Sequence, residues 1–233
     1  MKIALLGYGK MGKTIERLAL EKGHEIVYKL SERNEEGLLE DAEVAIEFSS
    51  PEVAVTHILK CFDTEIPVVC GTTGWLKDYE KVLKVCESRN GSFLYASNFS
   101  IGVNLFFNLN LYFSALMKPW REYIPSIEEI HHTQKKDAPS GTAISLAEGV
   151  LKHSNLKNWE LDTQNPESLN IHAIREGDVK GTHTIFYNSP IDSLSIKHEA
   201  HSRDGFALGA LLAAEWLLGK KGVYSMKDVL NLH

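Results

Sequence analysis

Cysteine is scarce in this chain: 233 residues carry three, Cys61, Cys70 and Cys86. Their spacing is unpaired and they lie on helix- and strand-like segments. They read as reduced core thiols of a cytoplasmic protein, not as a disulfide framework or a metal site. No apolar run approaches the roughly 20 residues that cross a bilayer, so no membrane partner is expected. Met1-Lys2 runs straight into an apolar strand, so no signal peptide is expected either. Positive charge is in deficit: 25 Lys+Arg face 31 Asp+Glu, a net charge of −6, which argues against nucleic acid as a partner. Internal repeats and low-complexity segments are absent. What is there, 43% hydrophobic and 24% charged residues, is ordinary for a globular protein, with length enough for two domains that each bury a core.

Chemistry begins at once. Lys2 to Leu6 (K-I-A-L-L) reads as a short strand, followed by Gly7-Tyr8-Gly9-Lys10-Met11-Gly12 and a helical pattern through Ile15, Leu18 and Ala19. Strand, G-x-G-x-x-G and helix stand in the order a dinucleotide-binding fold requires. Gly7 permits the tight turn, Gly9 lets main chain approach a pyrophosphate, and Gly12 lets helix pack on strand. Gly7, Tyr8, Gly9, Lys10, Met11 and Gly12 are therefore assigned to a nicotinamide nucleotide, NADPH or NADH.

A second strand, Glu25 to Leu30, should end at the adenosine ribose, where an acid commonly binds both hydroxyls and repels a 2′-phosphate. Ser31, Glu32 and Arg33 follow. One register makes Glu32 the ribose ligand and Arg33 a phosphate clamp; the other places Ser31 at the acidic position and weakens NADH selectivity. Both admit NADPH, and the reading leans to dual use with some NADPH preference. A solvated charged loop over 31–36 is the bland alternative. Val44 to Phe48 and Pro67 to Cys70 read as buried parallel strands with a helix, Pro51 to Cys61, between them. Gly71, Thr72 and Thr73 follow the second of these, and Ala96, Ser97, Asn98 and Phe99 follow another, Ser92 to Tyr95. Ligands of an open parallel sheet sit beyond the carboxyl ends of its strands, so both segments are expected to line the nicotinamide side.

The densest run is 129–143, E-I-H-H-T-Q-K-K-D-A-P-S-G-T-A. If the strand Ser126 to Ile130 stays extended, His131 and His132 point to opposite faces, one for the reacting atom and one for a substituent. Pro139 disfavours helix at Ala138, and Ser140-Gly141-Thr142 open a helix through Leu151. Free N–H groups at a helix start, with the hydroxyls of Ser140 and Thr142, suit a carboxylate. Lys135 adds charge and can donate a proton; Asp137 orients the loop or pairs with a lysine. Each piece alone is bland, because His-His pairs are often polar surface features and Lys135-Lys136 is the kind of pair water solvates. A zinc site is rejected: adjacent histidines lack ligand spacing, and no nearby cysteine pair completes a tetrahedron.

In register, the run fills every specified position of E-x-H-H-x-x-K-x-D-x-P-S-G-T-A. It resembles the signature of the dihydrodipicolinate (4-hydroxy-tetrahydrodipicolinate) reductase family, hydride-transfer enzymes of the diaminopimelate route to lysine. The G-T-T-G turn at 71–74 and the A-S-N-F run before S-I-G-V-N match the family as well, so the resemblance covers most of the chain. It implies an α/β fold: a Rossmann dinucleotide-binding domain (1–100 plus 204–233) with an inserted α+β mixed-sheet domain for substrate binding and oligomerisation (101–203). It implies a cyclic imine dicarboxylate substrate whose hydroxyl leaves as water, reduced at ring carbon four. His131, Lys135 or both supply the proton, while His132, Ser140, Gly141, Thr142 and Arg203 hold substrate. A homotetramer and hinge closure between the domains follow from the same resemblance. The rival classes are another Rossmann imine or amino-acid dehydrogenase, which would need a different substrate domain, and a non-catalytic nucleotide sensor, which would lack chemical groups present here.

The rest is simpler. Ser126 to His132, Asn170 to Arg175, Thr182 to Asn188 and Ser193 to His198 read as strands, and the polar stretch 154–168 as a long exposed loop. His183 and His198 are expected to be sheet or interface residues. Phe206 to Leu218 reads as a buried helix ending at Gly219, and Ser225 with Asp228 as a capping box for a short last helix.

Overall fold

The computed structural model describes residues 1–232. In chain order its strands are β1 (Lys2–Leu6), β2 (Glu25–Leu30), β3 (Glu35–Gly37), β4 (Val44–Glu47), β5 (Val68–Cys70), β6 (Ser92–Tyr95), β7 (Ile124–His131), β8 (Asn158–Leu161), β9 (Ser168–Arg175), β10 (Thr182–Asn188), β11 (Ser193–Glu199) and β12 (Gly222–Tyr224). Its helices are α1 (Lys10–Glu21), α2 (Pro51–Asp63), α3 (Tyr79–Ser88), α4 (Ile101–Met117), α5 (Gly141–Leu151), α6 (Asp204–Leu217) and α7 (Met226–Val229). Two compact units result, Met1–Ile101 with the chain from Asp204 onward, and Gly102–Arg203.

The first unit is a seven-stranded sheet in the order β12-β6-β5-β4-β1-β2-β3. All its pairings are parallel except β3 on β2. Helices cover both faces, which is why β1 is apolar without alternation. Ile3 and Leu5 enter the core formed with α1 and α6, while Ala4 and Leu6 enter the one formed with α2 and α3. α6 is rich in Ala and Leu because that face is crowded: Ala207, Ala210, Leu211, Ala213, Ala214 and Leu217 are fully buried. The Ser225–Asp228 capping box is in place on α7. The charged stretch 31–36 is not wholly loop, since Glu35 and Glu36 begin β3.

The second unit is a mixed sheet in the order β11-β10-β7-β9-β8. Its core joins Phe106 and Met117 of α4 and Ala143, Leu146 and Val150 of α5 to Ile127, Ile171 and Ile185 of the sheet. The stretch 154–168 is not a continuous loop: it contains β8, an edge strand parallel to β9. Strand register brings residues far apart in sequence side by side. His131 on β7 lies opposite Arg175 on β9, and Glu129 lies opposite His183 on β10.

Candidate active site

In the first unit the glycine turn is built around space. Gly7 has φ +103°, and a Cβ there would lie 2.0 Å from the Phe48 carbonyl oxygen. A Cβ at Gly12 would lie 2.3 Å from the Gly7 carbonyl oxygen, whereas one at Gly9 would meet nothing within 4 Å. Turn and packing thus fill two positions, and the third leaves main chain open, which fits a pyrophosphate. Gly9 gives α1 no side-chain cap and no acid sits in its first turn, so the helix N–H groups are available to an anion.

A cavity of about 710 Å³ extends from this turn past Ser31, Glu32 and Arg33 to Val53 and His57. A second, of about 390 Å³, joins Gly9, Lys10 and Met11 to Gly71, Thr72 and Thr73; Gly9, Phe48 and Ser49 line both. Tyr8 lines the first cavity, but its hydroxyl donates to Glu16. Ser31 is committed to its own turn, its hydroxyl donating to the Asn34 carbonyl (3.1 Å) and accepting from the Asn34 N–H (3.0 Å). Glu32 and Arg33 stay exposed beside the cavity. Ala96, Ser97, Asn98 and Phe99 are not among the residues lining either cavity. The Phe99 side chain is core, 1% exposed with its ring centroid 5.7 Å from that of Phe48, so it can offer a ligand only main chain.

Beneath the shared wall lies Glu47, fully buried. It accepts from the Ser49 N–H (3.1 Å), the Ser49 hydroxyl and the Cys70 thiol (3.1 Å), with His57 Nδ1 at 3.4 Å. Burial pushes its carboxyl up, but hydrogen bonds from His57, Ser49, Thr72 and Cys70 outweigh that and hold it below the usual range. Reading the sequence missed this group; the signal was an acid ending an otherwise apolar strand, V-A-I-E.

The second unit gathers the 129–143 run around another buried carboxylate. Glu129 Oε1 accepts from Arg175 Nη2 at 2.8 Å, and its oxygens accept from the Ser140 N–H at 3.0 and 3.2 Å. His131 Nδ1 and His183 Nε2 lie 3.6 and 3.7 Å from Glu129 Oε2, and the two rings meet edge-on at 5.0 Å. His183 Nε2 is 3.1 Å from the Ser140 hydroxyl. His183 is therefore a sheet residue whose ring belongs to this cluster, while the His198 ring lies 6.0 Å from that of Phe106.

Electrostatics follow from this packing. Burial pushes Glu129 up, yet hydrogen bonds from His183, Ser140 and Arg175 bring it down to about 2. His131 is pushed down to about 4, chiefly by burial, with His183, Lys135 and Arg175 adding to the effect and Glu129 opposing it. It is uncharged at neutral pH. His132 follows the strand end, half-buried. Lys135 Nζ donates to the Asp137 carboxylate at 2.7 and 2.9 Å. The Ser140 hydroxyl caps α5 by accepting from the Ala143 N–H (3.2 Å), which leaves the N–H groups of Gly141 and Thr142 for a ligand. Gly141 has open space where a Cβ would stand. Arg203 is exposed; it and His132 both help to lower the Asp178 carboxyl, after the larger effect of Lys180. Glu129, His131 and His183 bring one possible metal-ligand atom each within 4.8 Å of the others, though the Arg175 guanidinium already takes the carboxylate.

Residues 1–99 match the family model described as dihydrodipicolinate reductase, N-terminus, and residues 102–230 match that for the C-terminus. The chain belongs to the dihydrodipicolinate reductase family. A relative named 4-hydroxy-tetrahydrodipicolinate reductase, from Christiangramia forsetii, is 52% identical over 234 residues, 99% of this chain and 98% of that one. Another of the same name, from Bdellovibrio bacteriovorus, is 39% identical over 235 residues, 99% of this chain and 96% of the other. Among solved structures, a dipicolinate-bound dihydrodipicolinate reductase from Paenisporosarcina sp. TG-14 superposes with a TM-score of 0.77 at 20% identity, covering 98% of both chains. A DAP dehydrogenase from C. glutamicum in complex with DAP reaches only 0.53 at 12% identity, over 100% of this chain and 94% of that one. At such identities these two speak for the fold alone. As in its family, that fold is α/β: a Rossmann-type NAD(P)-binding domain with a second, mixed-sheet domain.

Proposed function

We propose that the chain is a pyridine-nucleotide-dependent 4-hydroxy-tetrahydrodipicolinate reductase, acting in the diaminopimelate route to lysine with loss of water from its substrate. The observation that carries this reading is the cluster in which an uncharged buried imidazole, a lysine–aspartate pair and an open helix start meet within fifteen residues of chain.

The N–H groups of Gly141 and Thr142, the Thr142 hydroxyl and His132 hold one substrate carboxylate. Ser140 supports them from below, since its own hydroxyl is spent on capping and on His183. Arg203 faces the second carboxylate. A bound nicotinamide nucleotide supplies the hydride. The proton comes from Lys135, because an imidazole held near 4 carries none to give at neutral pH. His131 instead hydrogen-bonds the reacting ring, and Asp137 aims the lysine.

Along the first unit's cavities Gly7 to Gly12 hold the pyrophosphate, Glu32 the ribose hydroxyls and Arg33 a 2′-phosphate. Gly71, Thr72, Thr73 and the main chain of Ala96 to Phe99 lie on the nicotinamide side. With Ser31 tied into its own turn, Glu32 and Arg33 together favour dual use with some NADPH preference. The sheet face opposite α4 and α5, which includes Ile130, Thr184 and Phe186 by alternation from Ile127 and Ile185, is the surface we assign to a homotetramer. Its residue range, 101–203, is the substrate-binding and oligomerisation domain, and 1–100 with 204–233 the nucleotide domain. The location is cytoplasmic.

The test is to form the cyclic imine in situ from pyruvate and aspartate semialdehyde and follow NADPH and NADH oxidation separately. Rapid oxidation is expected; none from either nucleotide, with nucleotide binding intact, would turn the reading towards a sensor or another imine reductase. Lys135→Ala should cost about 100-fold or more in turnover and little in NADPH affinity. Equal losses in both would remove Lys135 as the proton donor.

A further inference from the structure

Between His132 and Asp137 the chain leaves the sheet, carries Lys135, and returns towards α5. Its near end is fixed by main chain: the Glu176 N–H donates to the His131 carbonyl (2.8 Å), and the Thr133 N–H donates to the Gly177 carbonyl (3.3 Å). Its far end is held differently. Arg175 Nη2 donates to the Asp137 carbonyl oxygen at 2.7 Å and to Glu129 Oε1 at 2.8 Å, while Nη1 donates to the Ile174 carbonyl at 2.9 Å. One planar guanidinium thereby spans the buried carboxylate under the imidazoles and the residue whose side chain pairs with Lys135. A lysine in its place has a point charge and no fork to satisfy these acceptors together.

We infer that Arg175 is a positioning residue for the reaction proposed above: its guanidinium sets the Lys135–Asp137 pair against Glu129, the imidazoles beside it and the first turn of α5. This rests on the reductase reading. The Glu129 carboxylate also receives the Ser140 N–H, so the same guanidinium steadies the helix start that takes the substrate carboxylate. Nothing in this chain of contacts reaches the nucleotide turn, so substrate handling and nucleotide affinity should separate.

The groups facing His131 are Glu129 on its own strand, Arg175 on β9, His183 on β10 and Lys135 on the loop. Arg175 opposes the pull of Glu129 on the imidazole proton, so removing it leaves Glu129 less opposed and His131 protonates at higher pH.

The experiment compares wild type with Arg175→Ala, Arg175→Lys and Arg175→Gln. It reads turnover, affinity for pyridine-2,6-dicarboxylate, NADPH affinity, melting temperature, and turnover with added ethylguanidinium. The Arg175 side chain is 20% exposed, so solvent can deliver that cation. Expected for the alanine variant are a turnover loss of about 100-fold, weaker dicarboxylate binding, NADPH affinity within about twofold, and a rise of roughly tenfold on adding ethylguanidinium. The acid limb of its pH profile should lie above that of wild type. Lysine should behave nearer to alanine than to arginine. Glutamine keeps a planar donor that reaches one acceptor at a time; it should fall between, and it decides the matter where the alanine variant does not fold.

Unchanged turnover in a folded variant overturns the inference. So does a loss in which NADPH affinity and melting temperature fall together and no guanidinium compound restores activity. A wild type that does not turn over the cyclic imine overturns the reductase reading and the inference with it, whereas a live wild type with an indifferent Arg175 overturns the inference alone.

Discussion

Glu47 and Glu129 are both fully buried carboxylates near strand ends, each beneath a surface assigned to a ligand, yet they are stabilised in different ways. Glu47 is held by a hydroxyl, a thiol, a main-chain N–H and an imidazole. Glu129 has an arginine as well as a main-chain N–H. Desolvation penalises both anions, and either set of donors suffices to keep them ionised. The difference lies in what stands alongside. Next to Glu129 is His131, its Nδ1 3.6 Å from Oε2, and an unopposed carboxylate there favours the protonated imidazole. Burial outweighs that pull and keeps His131 neutral, with His183, Lys135 and Arg175 also opposing the carboxylate. The nucleotide half has no arginine on its carboxylate; a hydroxyl, a thiol, a main-chain N–H and an imidazole serve there instead.

The comparison is most exposed at Glu129. Glu129→Gln replaces one oxygen by an amide that must face Arg175 or the Ser140 N–H, donor against donor in either orientation. Breaking a buried pair in this way should lower the unfolding free energy by about 3 kcal/mol, measured in urea, with turnover collapsing and nucleotide affinity unchanged. A smaller loss than Glu47→Gln would reverse the contrast drawn here.

The next effect is in pH. An unfolded histidine titrates near 6.5, whereas His131 is held at about 4 in the fold. Between these values the unfolded chain binds a proton that the fold refuses. Stability is then full above about 6.5 and declines as pH falls towards 4. Glu129, depressed to about 2, adds a second loss that begins near the unfolded carboxylate value and is complete only below its folded one. His131→Gln should flatten the upper decline and leave the lower; two superimposable pH–stability curves would contradict a neutral buried His131.

Glu47→Gln should be milder, about 1 kcal/mol, since the Ser49 N–H already has the Thr72 hydroxyl at 2.8 Å as a second acceptor. Nucleotide affinity should drop severalfold while pyridine-2,6-dicarboxylate binding, followed by calorimetry, stays put. Smallest of all, Arg33→Ala should weaken NADPH by roughly tenfold and NADH by less than about twofold. Equal weakening of both would place the 2′-phosphate elsewhere.

Local signals were easy to read. Lys2 to Gly12 announces strand, turn and helix within eleven residues, and the Ser140–Thr142 helix start carries its own cap. Glu129 was in view as the first letter of the motif, but its role was not, because its partners Arg175 and His183 are 46 and 54 residues further along the sequence. Only the register of β9 and β10 against β7 brings them together. The edge strands β3, β8 and β12 escaped for another reason: they are short and, apart from Trp159 and Leu161 of β8 and Val223 and Tyr224 of β12, polar or glycine. They bury too little for an alternating pattern to mark them. Phe99 was legible only in part: its place after a strand end suggested a ligand contact, but nothing local showed that its ring belongs to the core and leaves only main chain to a ligand.

The parallel sheet of the first unit takes part of its covering from the far end of the chain. α6 begins at Asp204, and the apolar face of Ile3, Leu5 and Ile46 packs against its alanines and leucines. During synthesis that face must wait through some hundred intervening residues, enough for the second unit to emerge and fold first. A nascent chain stalled before α6 would display an open, aliphatic sheet surface, an inviting target for chaperones or for neighbouring copies on the same message.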